Sequence, residues 1–195
     1  MWLVDILQRK YKNVKFMFST WSPPGTMKSN GKPSGGSLKS GSGEEFADYL
    51  IDFINTYTNK FGIKIYAISP SNEPNSSGTG WNGCSWTYGN LANFCQDNLR
   101  PALDKAGYQD MKIIFGEHSW WKAGVTFLEN GLKARPELAN SNIIAAAHGY
   151  TLIGNTEFVQ SPLCAEKNIH IWNTETSSTD TYDPCLLYTS PSPRD

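Results

Sequence analysis

The sequence predicts an α/β fold with a parallel sheet, because short β-prone runs alternate with stretches of helical periodicity along its 195 residues. A cluster of Gly, Pro, Ser or Asn follows each β-prone run, and in most cases a helical stretch comes next. The predicted strands are Val14–Ser19, Ile63–Ser69, Met111–Phe115, Ile143–Ala147 and Ile169–Trp172. A chain of this length buries one core, so we expect a single domain or part of one.

Helical periodicity marks four segments between and before these strands. They are Trp2–Tyr11, Glu44 to about Lys60, Asn90–Lys105 and Ala123–Ala134. Ser42 and Glu45 match a capping box at the start of the second segment, and Gly62 supplies a left-handed residue at its end. In the third segment we expect Pro101 to kink the helix and Gly107 to end it.

The order of these elements is that of an incomplete (β/α)8 barrel. A full barrel has eight strands in roughly 250 residues, whereas the sequence shows only five, and its first helix belongs to an earlier unit. Residues 185–195 match the in-frame translation of a sequencing adapter, so we expect them to be disordered and outside the fold. Residues 1–184 then form a partial barrel domain, predicted to be inactive alone because its sheet cannot close.

Charge and composition exclude several classes of function. The formal net charge is −1 and no Lys/Arg run exceeds two residues, so a nucleic-acid partner is not expected. No apolar window is long enough for a membrane span, and the first residues lack the zones of a signal peptide. Outside the adapter segment three cysteines remain, which allows at most one disulfide, with Cys84 and Cys95 as the nearest candidate pair.

Polar residues cluster directly after each predicted strand. The clusters are Trp21–Pro24, Asn72–Pro74, Gly116–His118, His148–Tyr150 and Asn173–Glu175. In a barrel these carboxyl ends meet at one face, where active sites lie. Aromatic residues make up 13% of the chain, and several of the seven Trp lie in Gly/Ser/Pro-rich stretches. Such exposed rings suit stacking on sugar rings.

Two glutamates at these strand ends match the requirements of glycosidic bond hydrolysis. That reaction needs one carboxylic acid to protonate the leaving oxygen and a second carboxylate to meet the oxocarbenium-like carbon. Glu73 and Glu175 each follow a strand after a short turn, beside an Asn or Thr that can hydrogen-bond a carboxylate or a sugar hydroxyl. We therefore interpret this pair as the candidate catalytic groups.

Three further motifs give the chain a resemblance to a known family. They are Trp-Ser-Pro-Pro-Gly-Thr-Met-Lys-Ser-Asn-Gly at 21–31, Gly-Gly-Ser-Leu at 35–38 and Tyr-Ala-Ile-Ser-Pro-Ser-Asn-Glu-Pro at 66–74. With them, nearly all of residues 1–184 resembles glycoside hydrolase family 30, of the retaining clan A β-glycosidases. The resemblance implies that the visible strands are the third to the seventh of the barrel.

The resemblance also implies roles for individual residues and a mechanism. Glu73 would be the acid/base, Asn72 would contact the sugar 2-hydroxyl, and Glu175 would be the nucleophile. His148, Tyr150 and Trp21 would line the substrate site. The implied double displacement needs no metal or cofactor, and we expect ionised Glu175 to raise the pKa of Glu73 by like-charge repulsion.

The resemblance implies a secreted enzyme, monomeric at full length, that acts on a polysaccharide or glycoside. Glucuronoxylan, cleaved by an endo-β-1,4-xylanase activity, is the first expectation; an endo-β-1,6-glucanase and a glucosylceramidase are alternatives within the family. Two other classes of protein fit the sequence less well. A metal hydrolase lacks His-x-x-x-His or Cys-x-x-Cys spacing here, and a noncatalytic carbohydrate-binding protein would not require the paired glutamates.

Overall fold

The fold is a sheet of five parallel strands, in chain order, with helices packed on one side. A computed structural model describes residues 2–76, 80–150 and 158–176. The strands are β1 Phe16–Ser19, β2 Ile65–Ser69, β3 Lys112–His118, β4 Ile143–Ala147 and β5 Ile171–Asn173. Each strand pairs in parallel with the next one along the chain. The predicted parallel α/β sheet is confirmed, as part of a barrel.

Six α-helices lie in the described ranges. They are α1 Trp2–Lys10, α2 Gly43–Phe61, α3 Tyr88–Phe94, α4 Arg100–Lys105, α5 Trp121–Ala134 and α6 Pro162–Glu166. Short 3-10 turns cover Gly25–Met27 and Pro136–Asn140. No helix in the described ranges has both the length and the apolar character that a membrane crossing requires.

The ends of α2 confirm one prediction and correct another. Gly62 ends the helix in the left-handed conformation, with φ at 65°. The predicted capping box is wrong, because the Ser42 side chain caps no amide of the first turn. Its φ of −89° and ψ of 10° are not the extended values from which a cap hydroxyl reaches the first-turn amides.

The predicted helix over 90–105 is interrupted rather than simply kinked. Helix α3 ends at Phe94, the chain forms a π-helical turn over Cys95–Leu99, and α4 begins at Arg100. Pro101 explains the break, because it has no amide hydrogen for the carbonyl of Asp97 and its ring crowds that carbonyl. In the first turn of α4 the same proline is tolerated.

Side chains alternate between the two faces of the sheet. On β3, Ile113 and Phe115 pack with the helices in the large outer core, whereas Ile114 points the other way. Ile114 meets Ala67, Ile144 and Ala146 in a small cluster inside the barrel curve. The period of two along β4 therefore directs His148, two residues beyond Ala146, to the barrel interior.

The cysteines of the described ranges are free. Cys84, Cys95 and Cys164 are buried thiols, so the predicted Cys84–Cys95 pairing is wrong. Burial raises the pKa of the Cys84 thiol to about 11, although the nearby Lys28 ammonium opposes the shift. Cys95 begins the π-helical turn and is packed in the outer core, with burial raising its pKa as well.

Gly131 in α5 tests how closely this helix packs on the sheet. A Cβ at Gly131 would lie 2.5 Å from Cζ of Phe115, whose ring is fully buried. We expect Gly131→Ala to lower the free energy of unfolding by about 1–3 kcal/mol through overpacking. The measurement is urea unfolding of the complete protein.

Gly89 in α3 is the matched control, because a Cβ there meets nothing within 4 Å. We expect Gly89→Ala to raise the free energy of unfolding by about 0.4–1 kcal/mol, since alanine restricts the unfolded chain. Equal stability of the two variants would contradict the close packing of α5 against Phe115.

Candidate active site

Main-chain hydrogen bonds hold the two candidate catalytic glutamates at the carboxyl ends of β2 and β5. Glu73 has a φ of 45°, and its N–H donates to the carbonyl of Glu117 at 2.9 Å. The carbonyl of Glu175 accepts from the N–H of Gly149 at 2.8 Å. A Cβ at Gly149 would lie 2.6 Å from the Asn173 side chain, so only glycine fits there without a shift. Both glutamates are therefore tied to neighbouring strand ends.

The two carboxyl groups face each other across a short gap. One carboxylate oxygen of Glu73, one of Glu175 and a ring nitrogen of His148 all lie within 4.8 Å of one another. Retaining glycosidases place their carboxyl groups about 5–5.5 Å apart, whereas inverting enzymes need about 6.5–9.5 Å for an intervening water. The gap here is of the retaining kind.

His148 lies at the centre of this group and is fully buried. Its Nδ1 is 3.2 Å from Oε1 of Glu73, a hydrogen-bond distance. Its Nε2 lies at ion-pair distances, 3.8 Å from Oε2 of Glu117 and 4.0 Å from Oε2 of Glu175. Burial alone would lower the pKa of His148, but Glu117, Glu73 and Glu175 outweigh it and raise the pKa to about 9. The ring is therefore an imidazolium at neutral pH.

The expected upward shift in the pKa of Glu73 is wrong. The hydrogen bond from His148 holds this pKa below its ordinary value, and the positive charge of the ring acts in the same direction. Partial burial opposes the shift without overcoming it. The neighbouring carboxylate can be inferred from the sequence motifs, whereas the cation that contacts Glu73 directly cannot.

The remaining predicted site residues take different positions. The Tyr150 hydroxyl donates to Oε1 of Glu175, and its ring packs edge-on against His148 with centroids 5.9 Å apart. Asn72 is buried directly before Glu73. Trp21 lies two residues beyond the end of β1, with 47% of its surface exposed. Tyr150 and His148 thus contact the two glutamates, while Trp21 presents its ring to solvent.

Glu117, at the end of β3, is the site residue to which the sequence analysis gave no role. Its side chain is 2% exposed, and Oε2 accepts a hydrogen bond from the Ser19 hydroxyl at 3.0 Å. Oε1 has no hydrogen-bond partner within the described residues. The available signal was a third glutamate in a polar cluster that directly follows a strand.

One buried lysine joins the loops that follow β1 and β2. Lys28 is fully buried, and its ammonium donates to the Ser22 hydroxyl at 3.0 Å, to the Pro33 carbonyl at 3.2 Å and to the Gly83 carbonyl. The Pro33 carbonyl also accepts a hydrogen bond from the N–H of Gly83 at 3.1 Å. The loop that carries Trp21 is therefore fixed to the loop that follows Glu73.

Glu73, His148 and Glu175 are the described residues whose donor atoms are close enough to hold a metal ion. An imidazole must be deprotonated to bind a metal. The carboxylates around His148 favour its protonated form, with the pKa near 9. The arrangement is thus better suited to acid–base chemistry at the carboxyl groups than to metal binding.

A parallel barrel sheet with two glutamates close together on its carboxyl face is the arrangement that retaining glycoside hydrolases of the (β/α)8 class use. Comparison with known families makes this specific. The chain belongs to glycosyl hydrolase family 59, whose family model matches residues 1–189. This family lies in clan A, the clan that the sequence resemblance indicated.

Individual relatives agree with that resemblance. The chain is 33% identical over 122 residues to an endo-1,6-β-D-glucanase of Aspergillus fumigatus, covering 55% of the chain and 25% of that protein. It is 28% identical over 116 residues to the lysosomal acid glucosylceramidase of Mus musculus, covering 55% and 22%. The chain thus spans about a quarter of the length of these curated relatives.

Among solved structures, a glycoside hydrolase family 30 subfamily 8 xylanase from Clostridium acetobutylicum superposes with a TM-score of 0.77 at 26% identity. The match covers 95% of this chain and 45% of that structure. The similarity to family 30 is confirmed alongside the family 59 assignment, and the five strands correspond to part of a complete barrel.

The raised pKa of His148 makes a prediction about stability. A group whose pKa is higher in the folded state than its ordinary 6.5 stabilises the fold fully below that pH, and the contribution is lost as pH rises through about 9. We expect His148→Gln to destabilise the complete protein most below pH 6.5, with a difference that shrinks toward pH 9. Thermal unfolding across this range measures it.

His170→Gln is the matched control, because His170 is an exposed histidine beside β5. We expect its effect on unfolding to be small, because its side chain is exposed. A His148→Gln difference that does not change with pH would contradict the imidazolium assignment.

Proposed function

We propose that the enzyme to which this chain belongs hydrolyses β-linked glycans with retention of configuration, with Glu175 as nucleophile and Glu73 as acid/base. The observation that carries the proposal is the approach of a Glu73 oxygen to a Glu175 oxygen within 4.8 Å at the carboxyl face of the sheet. All the groups involved come from one chain, so we take the monomer as the working unit.

The contacts of each glutamate suit its proposed role. In the first step a Glu175 oxygen bonds to the anomeric carbon, the glycosidic bond breaks, and Glu73 gives its proton to the leaving oxygen. The Tyr150 hydroxyl holds Oε1 of Glu175 and orients the carboxylate for attack. In the second step Glu73 takes a proton from water, whose oxygen replaces Glu175 at the anomeric carbon.

The three exposed tryptophans of the strand-end loops support a polymeric substrate. Trp21, Trp81 and Trp120 follow β1, β2 and β3, and each has more than a third of its surface exposed. Exposed rings at this face can stack on successive sugar units of an extended chain. Because such a polymer does not enter cells, the proposal includes secretion of the enzyme.

Xylan is the first candidate substrate. It is supported by the similarity to the xylanase structure, which extends over 95% of the chain. β-1,6-Glucan is the second candidate, supported by the 33% identity to a 1,6-glucanase over 55% of the chain. A glucosylceramide is the third, supported by the more distant similarity to the glucosylceramidase.

Glycan hydrolysis by the complete enzyme tests the reaction and the substrate together. We expect turnover of glucuronoxylan, or else of β-1,6-glucan or glucosylceramide. Proton NMR should show the β-anomer of the product before the α-anomer. Glu73→Gln should lower the rate on the glycan by roughly 10²–10⁴-fold, the usual contribution of general acid catalysis. Glu175→Gln should abolish turnover.

Rescue of alanine variants by azide assigns the nucleophile and the acid/base separately, because azide can act in place of a missing carboxylate. In a Glu73→Ala variant azide attacks the glycosyl-enzyme and gives a β-glycosyl azide, whereas in Glu175→Ala it attacks directly and gives the α product. Glu166→Gln, in the exposed last turn of α6, is the matched control and should retain full activity. Initial release of the α-anomer from a β-glycan would overturn the retaining mechanism.

The imidazolium also predicts a pH effect on catalysis. Because His148 holds the pKa of Glu73 below its ordinary value, the protonated acid is most abundant at acidic pH. We expect His148→Gln to move the basic limb of the kcat/KM profile to higher pH, since the positive charge beside Glu73 is removed. An unchanged basic limb would contradict control of Glu73 by His148, and His170→Gln should leave the profile as it is.

A further inference from the structure

We propose that Glu117 is a positioning residue for the acid/base Glu73, which it holds through both its main chain and its side chain. The inference rests on the proposed function, because it requires Glu73 to be the acid/base. Glu117 does not belong to the pair that exchanges bonds with the sugar. It lies at the end of the intervening strand β3 and is 2% exposed.

The main-chain connection is direct. The Glu117 carbonyl accepts the N–H of Glu73 at 2.9 Å, and both residues adopt a positive φ, of 60° and 45°. Residues other than glycine rarely adopt a positive φ. Backbone strain of this kind concentrates at functional sites, where the surrounding structure holds it in place. Here the two strained residues are hydrogen-bonded to each other, so the backbone of Glu73 depends on that of Glu117.

A β-bulge places Glu117 in this position. Gly116 pairs with Ala146 and His118 with Ala147, which leaves Glu117 as the extra residue between two consecutive positions of β4. Gly116 has a φ of 119°, and a Cβ there would lie 2.4 Å from the Ala146 carbonyl oxygen. Bulges of this kind redirect a side chain next to active sites. The bulge turns the Glu117 carboxylate toward His148.

The side-chain connection runs through His148. Oε2 of Glu117 lies 3.8 Å from Nε2 of His148, and Nδ1 of the same ring is 3.2 Å from Oε1 of Glu73. The Ser19 hydroxyl donates a hydrogen bond to the same Oε2 at 3.0 Å. A buried carboxylate is costly unless an opposite charge compensates it, and the ring compensates this one. Its attraction fixes the ring that in turn holds Glu73.

The leaving-group dependence of the rate distinguishes positioning of an acid from general structural support. A 2,4-dinitrophenolate departs without a proton, whereas the oxygen of a glycan requires one. The experiment compares kcat/KM of the complete enzyme and its Glu117→Gln variant on the glycan and on the 2,4-dinitrophenyl glycoside of the same sugar. We expect a loss of roughly 10²-fold on the glycan, within the range of general acid catalysis, and little loss on the activated glycoside.

The same comparison in the Glu73→Ala background tests whether Glu117 acts through Glu73. We expect Glu117→Gln to cause no further loss there, because the group that it positions is already absent. Ser19→Ala, which removes only the hydroxyl contact with Oε2, should show the same leaving-group pattern with a smaller loss. If Glu117→Gln does not fold, the leaving-group comparison on Ser19→Ala tests the inference instead.

Equal losses on both substrates, or a full further loss in the Glu73→Ala background, would overturn the inference. In either case the proposed function would still stand if Glu73→Ala itself loses much activity on the glycan and little on the activated glycoside. If Glu73→Ala shows neither that pattern nor a β-glycosyl azide product, the proposed function fails and this inference fails with it.

Discussion

The buried imidazolium of His148 is the interaction on which the site depends. Three carboxylates, from β2, β3 and β5, approach a ring carried by β4, at distances of 3.2, 3.8 and 4.0 Å. Carboxylates so close together would repel one another strongly in a poorly solvated interior. A cation among them converts that repulsion into attraction. The ring thereby joins four strand ends through charge as well as through the sheet.

Hydrophobic pattern and turn residues were sufficient to predict the sheet, with limited precision at its ends. All the predicted strands are present, but Ile63 and Ile169, the first residues of two predicted strands, lie outside the observed strands although both are buried. Apolar pattern reports burial, whereas strand pairing also depends on where the neighbouring strand begins. Local motifs were less reliable, because the Ser42 cap depends on a dihedral angle that the sequence does not specify.

The site residues that could be predicted are those whose role follows from the local sequence around them. Glu73 and Glu175 were found because each follows a strand in a recognisable context. Glu117 was not, because its contacts with Ser19 and His148 join residues 98 and 31 positions away and depend on a bulge. The pKa of Glu73 was misjudged for the same reason, since the sequence does not tell which charged neighbour lies nearest.

The Lys28 ammonium has a consequence for how substrate preference could be re-engineered. Its three donors are divided among Ser22, Pro33 and Gly83, and thus between the loops that follow β1 and β2. Grafting one loop from a relative would leave a fully buried charge or carbonyl without its partner, a loss that a new sugar contact would have to overcome. Recombination between homologues should therefore take both loops from the same relative.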